Sequence, residues 1–483
     1  MINAPTHATP GPAERPGPAE VTAMDIRGRG PLLLLLVSAV AWLVLSCIFA
    51  LIASIQLHSP AFLADCEWLT HGRVQALRET AFVYGWAANA GLAIGLWILA
   101  RLGGAPLRAP NWIVMGAFFW NLGVAAGLIG IATGDMTSFA MLQLPRYVQP
   151  LMVVAYAAMG VSGVLAWSGR RLDRTYASQW YVVAALFLFP WLLLAVQTML
   201  FWSPVRGTLQ AIAAGWYAQG TWTLWLAPLA LAGAYYVVPK VTGRVLPMYE
   251  FAPLGFWTLM FIGAWTGGRH LIGGPVPAWI ATVAVVASVM VLFHHLVLWF
   301  NLRVVFHGSG NALAFIRFGF IAYLLAGALA ALTAFRGIAE LFQFTFLTGA
   351  LEMLGLHGAI SMLFLGAIYY MLPRLTGRPW ASAALVVGHR WLVMVGLALG
   401  IVALGIAGWI QGAALLDAGL PMAGVFERVR PVLLVATAAQ VILLGASLLL
   451  LVNLLQSVCV WRPSEVSASS PFRQPANLEA TAS

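Results

Sequence analysis

The sequence predicts an all-α, polytopic membrane protein of about twelve transmembrane helices. Of its 483 residues, 61% are hydrophobic and only 8% are charged. Mean hydropathy is +0.89, and apolar runs of spanning length recur along the chain with short connections between them. Soluble globular domains do not combine these features. We therefore expect one helical bundle with no inserted soluble domain.

Twelve apolar runs are long enough to cross the hydrocarbon core of a bilayer. They cover residues 32–56, 80–101, 111–133, 147–168, 180–202, 208–238, 253–272, 279–302, 312–334, 342–372, 391–411 and 432–457. The membrane domain therefore extends over 31–457. Residues 1–30 are rich in Pro, Ala, Gly and Thr, and 458–483 are mostly polar. We predict that both segments are disordered cytoplasmic tails.

The charged residues indicate how the bundle is oriented. The formal net charge is +10, from 25 Lys and Arg against 15 Asp and Glu. The cations concentrate in alternate connections: Arg27, Arg29, Arg101, Arg108, Arg170, Arg171, Arg174, Lys240, Arg244, Arg303, Arg374, Arg378, Arg390 and Arg462. The positive-inside rule then places both termini in the cytoplasm. Because this rule explains the basic excess, we expect no nucleic-acid partner. Three scattered cysteines also exclude a disulfide framework.

The tenth run holds ionisable groups at membrane depth. Glu352, Met353 and His357 interrupt an otherwise apolar segment, and such groups are functional candidates by default. Met353 and His357 are four residues apart and share one helix face. The plainer interpretation is that both side chains pack against neighbouring helices. Further polar groups lie in the second, sixth and seventh runs: Arg78, Glu79, Gln219, Arg269 and His270.

Four of the runs carry local patterns that occur in the same order in one known family. The patterns are Gly72-Arg73-Val74 with Phe82-Val83-Tyr84-Gly85-Trp86-Ala87, Trp216-Tyr217 with Tyr235-Tyr236 and Val238-Pro239-Lys240, Trp265 with His270-Leu271, and Gln343-Phe344-Thr345 with Gly366-Ala367-Ile368-Tyr369-Tyr370 and Pro373-Arg374. Over about Leu32 to Leu455, the chain resembles subunit I of the haem-copper oxidases. Within that superfamily it is similar to the central, catalytic subunit of cbb3-type cytochrome c oxidase.

The resemblance implies oxygen reduction with proton pumping at two haems and one copper ion, held by six histidines. Two histidines, from the second and tenth helices, bind a low-spin haem, and one more on the tenth helix binds a high-spin haem. One on the sixth helix and a pair on the seventh bind copper. At the matching positions this sequence has Arg78 and Met353, then Leu351, then Gln219 with Arg269 and His270. Gly263 stands at the position of the family's tyrosine.

These substitutions remove most of the metal-binding chemistry. Leucine cannot ligate iron, and arginine keeps its proton. Met353 would be a single axial ligand, and one imidazole does not make a copper site. We therefore expect no bound cofactor. The alternative is a single haem on Met353 or on His357, as a relocated ligand. We expect bulky residues such as Trp222 to fill the vacated space, and Arg78 or Arg269 to pair with Glu79 or Glu352.

Three interpretations of function remain open from the sequence. The first is a ligand-depleted, non-catalytic relative in the bacterial inner membrane, serving as a scaffold, an assembly factor or an accessory subunit of a respiratory complex. Its partners would be the lipid bilayer and c-type cytochrome subunits or other respiratory subunits. The second is a divergent haem-binding terminal oxidase or nitric oxide reductase subunit. The third is a transporter or channel that reuses the central cavity, with the buried Arg and Glu along a polar pathway.

Overall fold

The computed structural model describes residues 16–172 and 174–459, and the regular elements within them are all helical. Twelve helices form the bundle: α1 (Pro18–His58), α2 (His71–Gly103), α3 (Pro110–Thr133), α4 (Gln149–Ser168), α5 (Ala177–Trp202), α6 (Thr208–Thr242), α7 (Ala252–Ile262, continued as a 3-10 helix by Gly263–Leu271), α8 (Ala278–His307), α9 (Asn311–Thr333), α10 (Phe346–Thr376), α11 (Ala383–Leu415) and α12 (Met422–Cys459). Short helices Glu67–Leu69, Tyr249–Phe251 and Arg336–Phe342 lie in the connections.

The predicted all-α membrane fold is confirmed. Eleven helices of the described chain are long and apolar enough to cross a membrane. The remaining one, α7, changes from an α-helix to a 3-10 helix at Gly263. Together these helices overlap the twelve predicted spans, so the hydropathy pattern alone located them.

Three helices form the centre of the bundle. The most apolar windows of α2, α6 and α10 are 100%, 83% and 83% buried, whereas the windows of the other spans are half-buried or less. Each central helix also contains a π-helical segment: Ala81–Ala87, Thr221–Leu226 and Met353–Ser361. Such wide turns are rare and are frequent at functional sites. The three segments begin within a few residues of Arg78, Gln219 and Leu351 respectively, which places the candidate residues at irregular points of the central helices.

The N-terminal boundary differs from the prediction. Helix α1 begins at Pro18, so residues 18–30 are not the disordered tail expected from their composition. The physical reason is a buried polar anchor. Asp25 is 5% exposed and accepts hydrogen bonds from Trp97 Nε1 and Arg101 Nε, each at 2.9 Å. Arg171 forms a further ion pair with Glu20. The predicted tail residues 1–15 and 460–483 lie outside the residues that the structure describes.

Candidate functional site

A cavity of about 550 Å³ lies among α2, α6, α7, α8, α9 and α10. Its wall combines apolar side chains with several polar ones: Glu79, Gln219, Thr223, Thr266, Arg269, His270, Ser288, His295, Tyr323, Gln343, Thr348 and Glu352. The structure therefore brings the copper-position residues Gln219, Arg269 and His270 to one cavity, together with Leu351 from the high-spin haem position.

An ion pair joins α2 to α10 beside this cavity. Arg78 Nη2 lies 3.4 Å from Glu352 Oε1, and the two side chains are 21% and 34% exposed. This is one of the pairings expected from the sequence. The neighbouring Glu79 is held differently, because its Oε1 accepts a hydrogen bond of 2.6 Å from the backbone N–H of Met141. The arginine at the low-spin haem position is thus engaged by a carboxylate.

Of the two arginines expected to pair with Glu79 or Glu352, Arg78 makes the pair and Arg269 does not. Within the described chain, its guanidinium makes no ion pair with Glu79 or Glu352. Glu79 accepts the backbone N–H of Met141, and Glu352 pairs with Arg78. The 3-10 segment carrying Arg269 is fixed by a close approach of α7 to α6, where a Cβ on Gly267 would lie 2.5 Å from the Gly215 carbonyl oxygen. The charged group therefore faces the cavity from a rigid wall.

Gln219 and His270 are the other two residues that the family resemblance puts at copper-ligand positions, and with Arg269 they offer few donor atoms for copper. Gln219 is 9% exposed and lines the cavity, and its backbone carbonyl accepts the Thr223 hydroxyl at 2.9 Å. His270 is exposed, and its backbone carbonyl accepts a hydrogen bond from Gln343 Nε2 at 2.9 Å. These three residues thus offer one imidazole, one amide and one guanidinium, and His295 brings a second imidazole to another part of the wall. A copper site needs several nitrogen or sulfur donors and no adjacent cation.

Met353 is used in packing between α10 and α11. The residue is 5% exposed, and its thioether lies against Gly400, where an added Cβ would come within 2.5 Å of the Met353 methyl carbon. Leu351, two residues earlier, is part of the cavity wall. The two residues of α10 that the family resemblance puts at haem-ligand positions are therefore a packed thioether and an alkyl group.

Trp222 fills space between α6 and α10. Its indole ring packs so closely against Gly355 that a Cβ on Gly355 would overlap the ring. Gly355 is one turn after Leu351, and Trp222 is part of the cavity wall. Sequence reasoning proposed Trp222 as a space-filling residue, but it missed Gly355, because a glycine shows no sign of the neighbour that requires it.

Of the remaining intramembrane histidines, His294 and His295 are neighbours on α8, with ring centroids 5.3 Å apart, and His357 lies on α10. His357 stacks on Phe82 of α2, with ring centroids 4.0 Å apart, and its buried Nδ1 has no hydrogen-bond partner among the described residues. His294 is 1% exposed and links three helices, because its nitrogens contact Gly255 O at 2.9 Å and Tyr323 Oη at 3.1 Å. His295 lines the cavity instead. Within the described chain, no three His, Cys, Asp or Glu residues cluster in a way that could hold a metal ion.

Comparison with known proteins identifies relatives over most of the chain. Residues 31–447 match the family model described as cytochrome c and quinol oxidase polypeptide I. The cbb3-type cytochrome c oxidase subunit CcoN1 of Stutzerimonas stutzeri is 23% identical over 389 residues, covering 78% of this chain and 82% of that protein. A cytochrome c oxidase subunit 1 homolog of Azorhizobium caulinodans is 24% identical over 431 residues, covering 82% and 75%.

A solved structure shares the fold. The cryo-EM structure of a heme-copper terminal oxidase dimer superposes with a TM-score of 0.73 at 13% sequence identity. The match covers 94% of this chain and 87% of the solved chain. At this identity the likeness concerns the arrangement of the helices, and it agrees with the bundle that hydropathy predicts.

Proposed function

Because the chain belongs to the cytochrome c and quinol oxidase polypeptide I family, we propose that it is an oxidase-like membrane subunit without a metal centre. In this proposal it binds neither the two haems nor the copper that the family resemblance implies, and it does not reduce oxygen. It acts instead as a non-catalytic scaffold, assembly factor or accessory subunit of a respiratory complex in the bacterial inner membrane.

One observation carries the proposal: the positions that the resemblance gives to the six family histidines hold a single imidazole, His270, and two of the substitutes, Arg78 and Met353, make other contacts. Arg78 pairs with Glu352 at 3.4 Å, and the Met353 thioether packs on Gly400. Leucine at 351 offers no donor atom. Haem and copper are held by neutral imidazole, thioether or thiolate donors with free lone pairs. The residues present therefore do not fit these groups.

The scaffold role is supported by what the chain retains. The central helices are largely buried. The ion pair between Arg78 and Glu352 connects α2 to α10 without a bound cofactor between them. A bundle that keeps this shape keeps the outer surfaces through which a subunit contacts its neighbours. We propose c-type cytochrome subunits, or other subunits of the respiratory complex, as the partners.

An absorption spectrum of the purified full-length chain tests the loss of haem. The expected result is no Soret band above background and less than a tenth of an equivalent of copper by metal analysis, with no oxygen uptake from reduced cytochrome c. The Stutzerimonas stutzeri relative, prepared in parallel, is the positive control for haem incorporation. Two haems and one copper per chain would overturn the proposal.

A second candidate is a single haem on His357. It is favoured by the buried, unpartnered Nδ1 of that residue, because a buried imidazole nitrogen without a hydrogen bond is costly. The face of the ring is covered by Phe82. A Soret band of one equivalent that disappears in His357→Ala and persists in His294→Ala would establish this candidate instead.

Partner binding is tested separately. The tagged full-length chain is expressed in the membranes of its own host and purified in mild detergent, and co-purifying c-type cytochromes are detected by covalent haem staining. Stoichiometric c-type haem alongside a colourless chain is the expected result. A chain that purifies alone at several detergent concentrations would contradict the scaffold role, whatever its own spectrum.

A further inference from the structure

Arg269 is the only arginine or lysine that the described chain places in the wall of the 550 Å³ cavity. The side chain is half-buried at the end of α7, and it forms no ion pair with an acid of the described residues. A cation at membrane depth without a counter-charge is costly. Cavities of about 300–1,000 Å³ are the usual size of small-molecule sites, so a ligand could supply the missing charge.

The hydroxyl groups of the cavity wall are already bonded to nearby backbone. Each donates to a carbonyl three or four residues earlier in the chain, at 2.7–2.9 Å; these are the hydroxyls of Thr223, Thr266, Ser288 and Thr348. Gln343 also uses an amide N–H, which donates to the His270 carbonyl at 2.9 Å. The guanidinium of Arg269 is therefore the principal charged donor that a ligand in the cavity would meet.

The two acids of the wall are held on other helices. Glu79 of α2 accepts the Met141 N–H at 2.6 Å, and Glu352 of α10 pairs with Arg78 at 3.4 Å. Because these carboxylates share the cavity with the ligand, they disfavour a ligand with two negative charges. One guanidinium and two acids that are already engaged thus favour a ligand with a single negative charge.

The position of Arg269 is fixed by the packing of its segment on both sides. The approach of Gly267 to α6 is described above. On the other side, a Cβ on Gly268 would lie 3.1 Å from the Cβ of Ala284 on α8. The 3-10 segment is therefore held between α6 and α8, and it cannot swing towards Glu79 or Glu352 without separating these contacts.

The rest of the cavity is mainly apolar and extends away from Arg269. Ala140 and Met141, from the connection between α3 and α4, line it at the end of the bundle where α7 finishes. Leu259, Val291 and Leu356 line it well inside α7, α8 and α10. The cavity therefore has a cation near one end of the helices and an apolar surface deeper in the bundle, which suits an amphiphile better than an inorganic ion.

We propose that this cavity binds an amphiphile with one negative charge, namely a carboxylate on an apolar chain, as in a free fatty acid. The carboxylate contacts the Arg269 guanidinium, whose planar fork matches a carboxylate with two parallel hydrogen bonds. The apolar chain extends along Leu259, Val291 and Leu356. This inference rests on the proposed function, because the ligand occupies space that the family resemblance gives to a haem and a copper ion.

The test measures binding of tritiated dodecanoate to the tagged full-length chain by scintillation proximity in a neutral detergent. Dodecanol has the same chain without the charge, and acetate has the same charge without the chain. We expect unlabelled dodecanoate to compete at least about tenfold better than dodecanol, because a charge-assisted hydrogen bond is lost in the alcohol. Acetate should not compete over the same concentration range.

Four variants locate the site. Arg269→Gln should weaken dodecanoate binding about tenfold and abolish the preference over dodecanol, and Arg269→Lys should recover part of the loss. Ala218→Phe places a ring in the cavity and should weaken both probes. Arg206→Gln removes an exposed cation from the connection before α6, outside the cavity wall, and should leave binding unchanged.

Equal competition by dodecanoate and dodecanol, or by dodecanoate and acetate, overturns the inference. Equal dodecanoate binding by the wild type and Arg269→Gln does so too. The competition series uses the wild type alone, so it decides even where a variant does not fold.

An absorption spectrum of the same preparation separates this inference from the proposed function. A colourless chain without a preference for dodecanoate overturns the inference alone. A chain with two haems and one copper that still binds dodecanoate through Arg269 overturns the proposed function alone.

Discussion

The guanidinium of Arg78 and the carboxylate of Glu352 lie 3.4 Å apart and connect two of the three central helices of the bundle, α2 and α10. The pair stands where the resemblance to cbb3-type oxidases implies a haem between the same helices. Under the proposed function, this electrostatic contact between side chains takes the place of a contact through a cofactor.

Removing one member of this pair should destabilise the protein. Arg78→Met leaves the Glu352 carboxylate without its partner, and we expect a loss of about 1–3 kcal/mol in the free energy of unfolding. Arg78→Met/Glu352→Gln should recover a large part of that loss, because no charge is left unpaired. Unfolding by SDS titration measures both. Strictly additive effects of the two substitutions would show that the residues do not interact.

The contact between Trp222 and Gly355 predicts a steric effect. A Cβ on Gly355 would overlap the Trp222 ring, so Gly355→Ala should cost about 1–3 kcal/mol through overpacking. The additional substitution Trp222→Phe should relieve the strain. Gly349→Ala, on the same helix but with no neighbour within 4 Å of the added carbon, is the matched control. Equal stability of Gly355→Ala and Gly349→Ala would contradict the packing described here.

Two glycines of α11 should respond differently to the same substitution. At Gly400 an added Cβ meets the end of the Met353 side chain, which can move, and we expect Gly400→Ala to cost less than about 1 kcal/mol. At Gly408 the added carbon meets the backbone of Leu347, with Leu347 Cα at 2.7 Å, and the backbone cannot yield in the same way. Gly408→Ala should cost about 3 kcal/mol or more. In an SDS titration, we expect Gly408→Ala to unfold at a lower midpoint than Gly400→Ala. The reverse order would contradict the described packing.

The anchor of α1 predicts a contrast between two acids. Asp25 is 5% exposed and binds both Trp97 and Arg101, so Asp25→Ala should cost about 2–4 kcal/mol by leaving a largely covered arginine, 15% exposed, without its partner. Glu20 forms an exposed pair with Arg171, and Glu20→Ala should cost less than about 1 kcal/mol. Limited proteolysis between residues 18 and 30 provides a second measurement, with faster cleavage expected only in Asp25→Ala.

Hydropathy was sufficient to predict the spans. A chain that crosses a bilayer must satisfy its backbone hydrogen bonds internally, so long apolar runs form helices. Hydropathy failed at the start of α1, where residues 18–30 look like a tail by composition. The contacts of Asp25 that order this segment come from residues more than seventy positions away in sequence, and a local pattern carries no sign of them.

The candidate site was predicted in part. Sequence analysis named residues at the family positions and expected a pairing that the structure contains, Arg78 with Glu352. It did not predict that Glu79 would accept the Met141 N–H, which leaves Arg269 without an acid among the described residues. Nor did it identify Tyr323 as the partner of His294. Such choices depend on the rotation of each helix, which the π-helical segments alter locally.

The indole of Trp222 also bears on whether an oxidase centre could be built into this chain. Histidines reintroduced at 78 and 353 would supply donors, but the ring would still rest on Gly355, and Glu352 would have lost its arginine. Each of these substitutions made alone leaves a steric clash, an empty volume or an unpaired charge. Under the proposed function, restoring haem binding therefore requires several coordinated replacements at once.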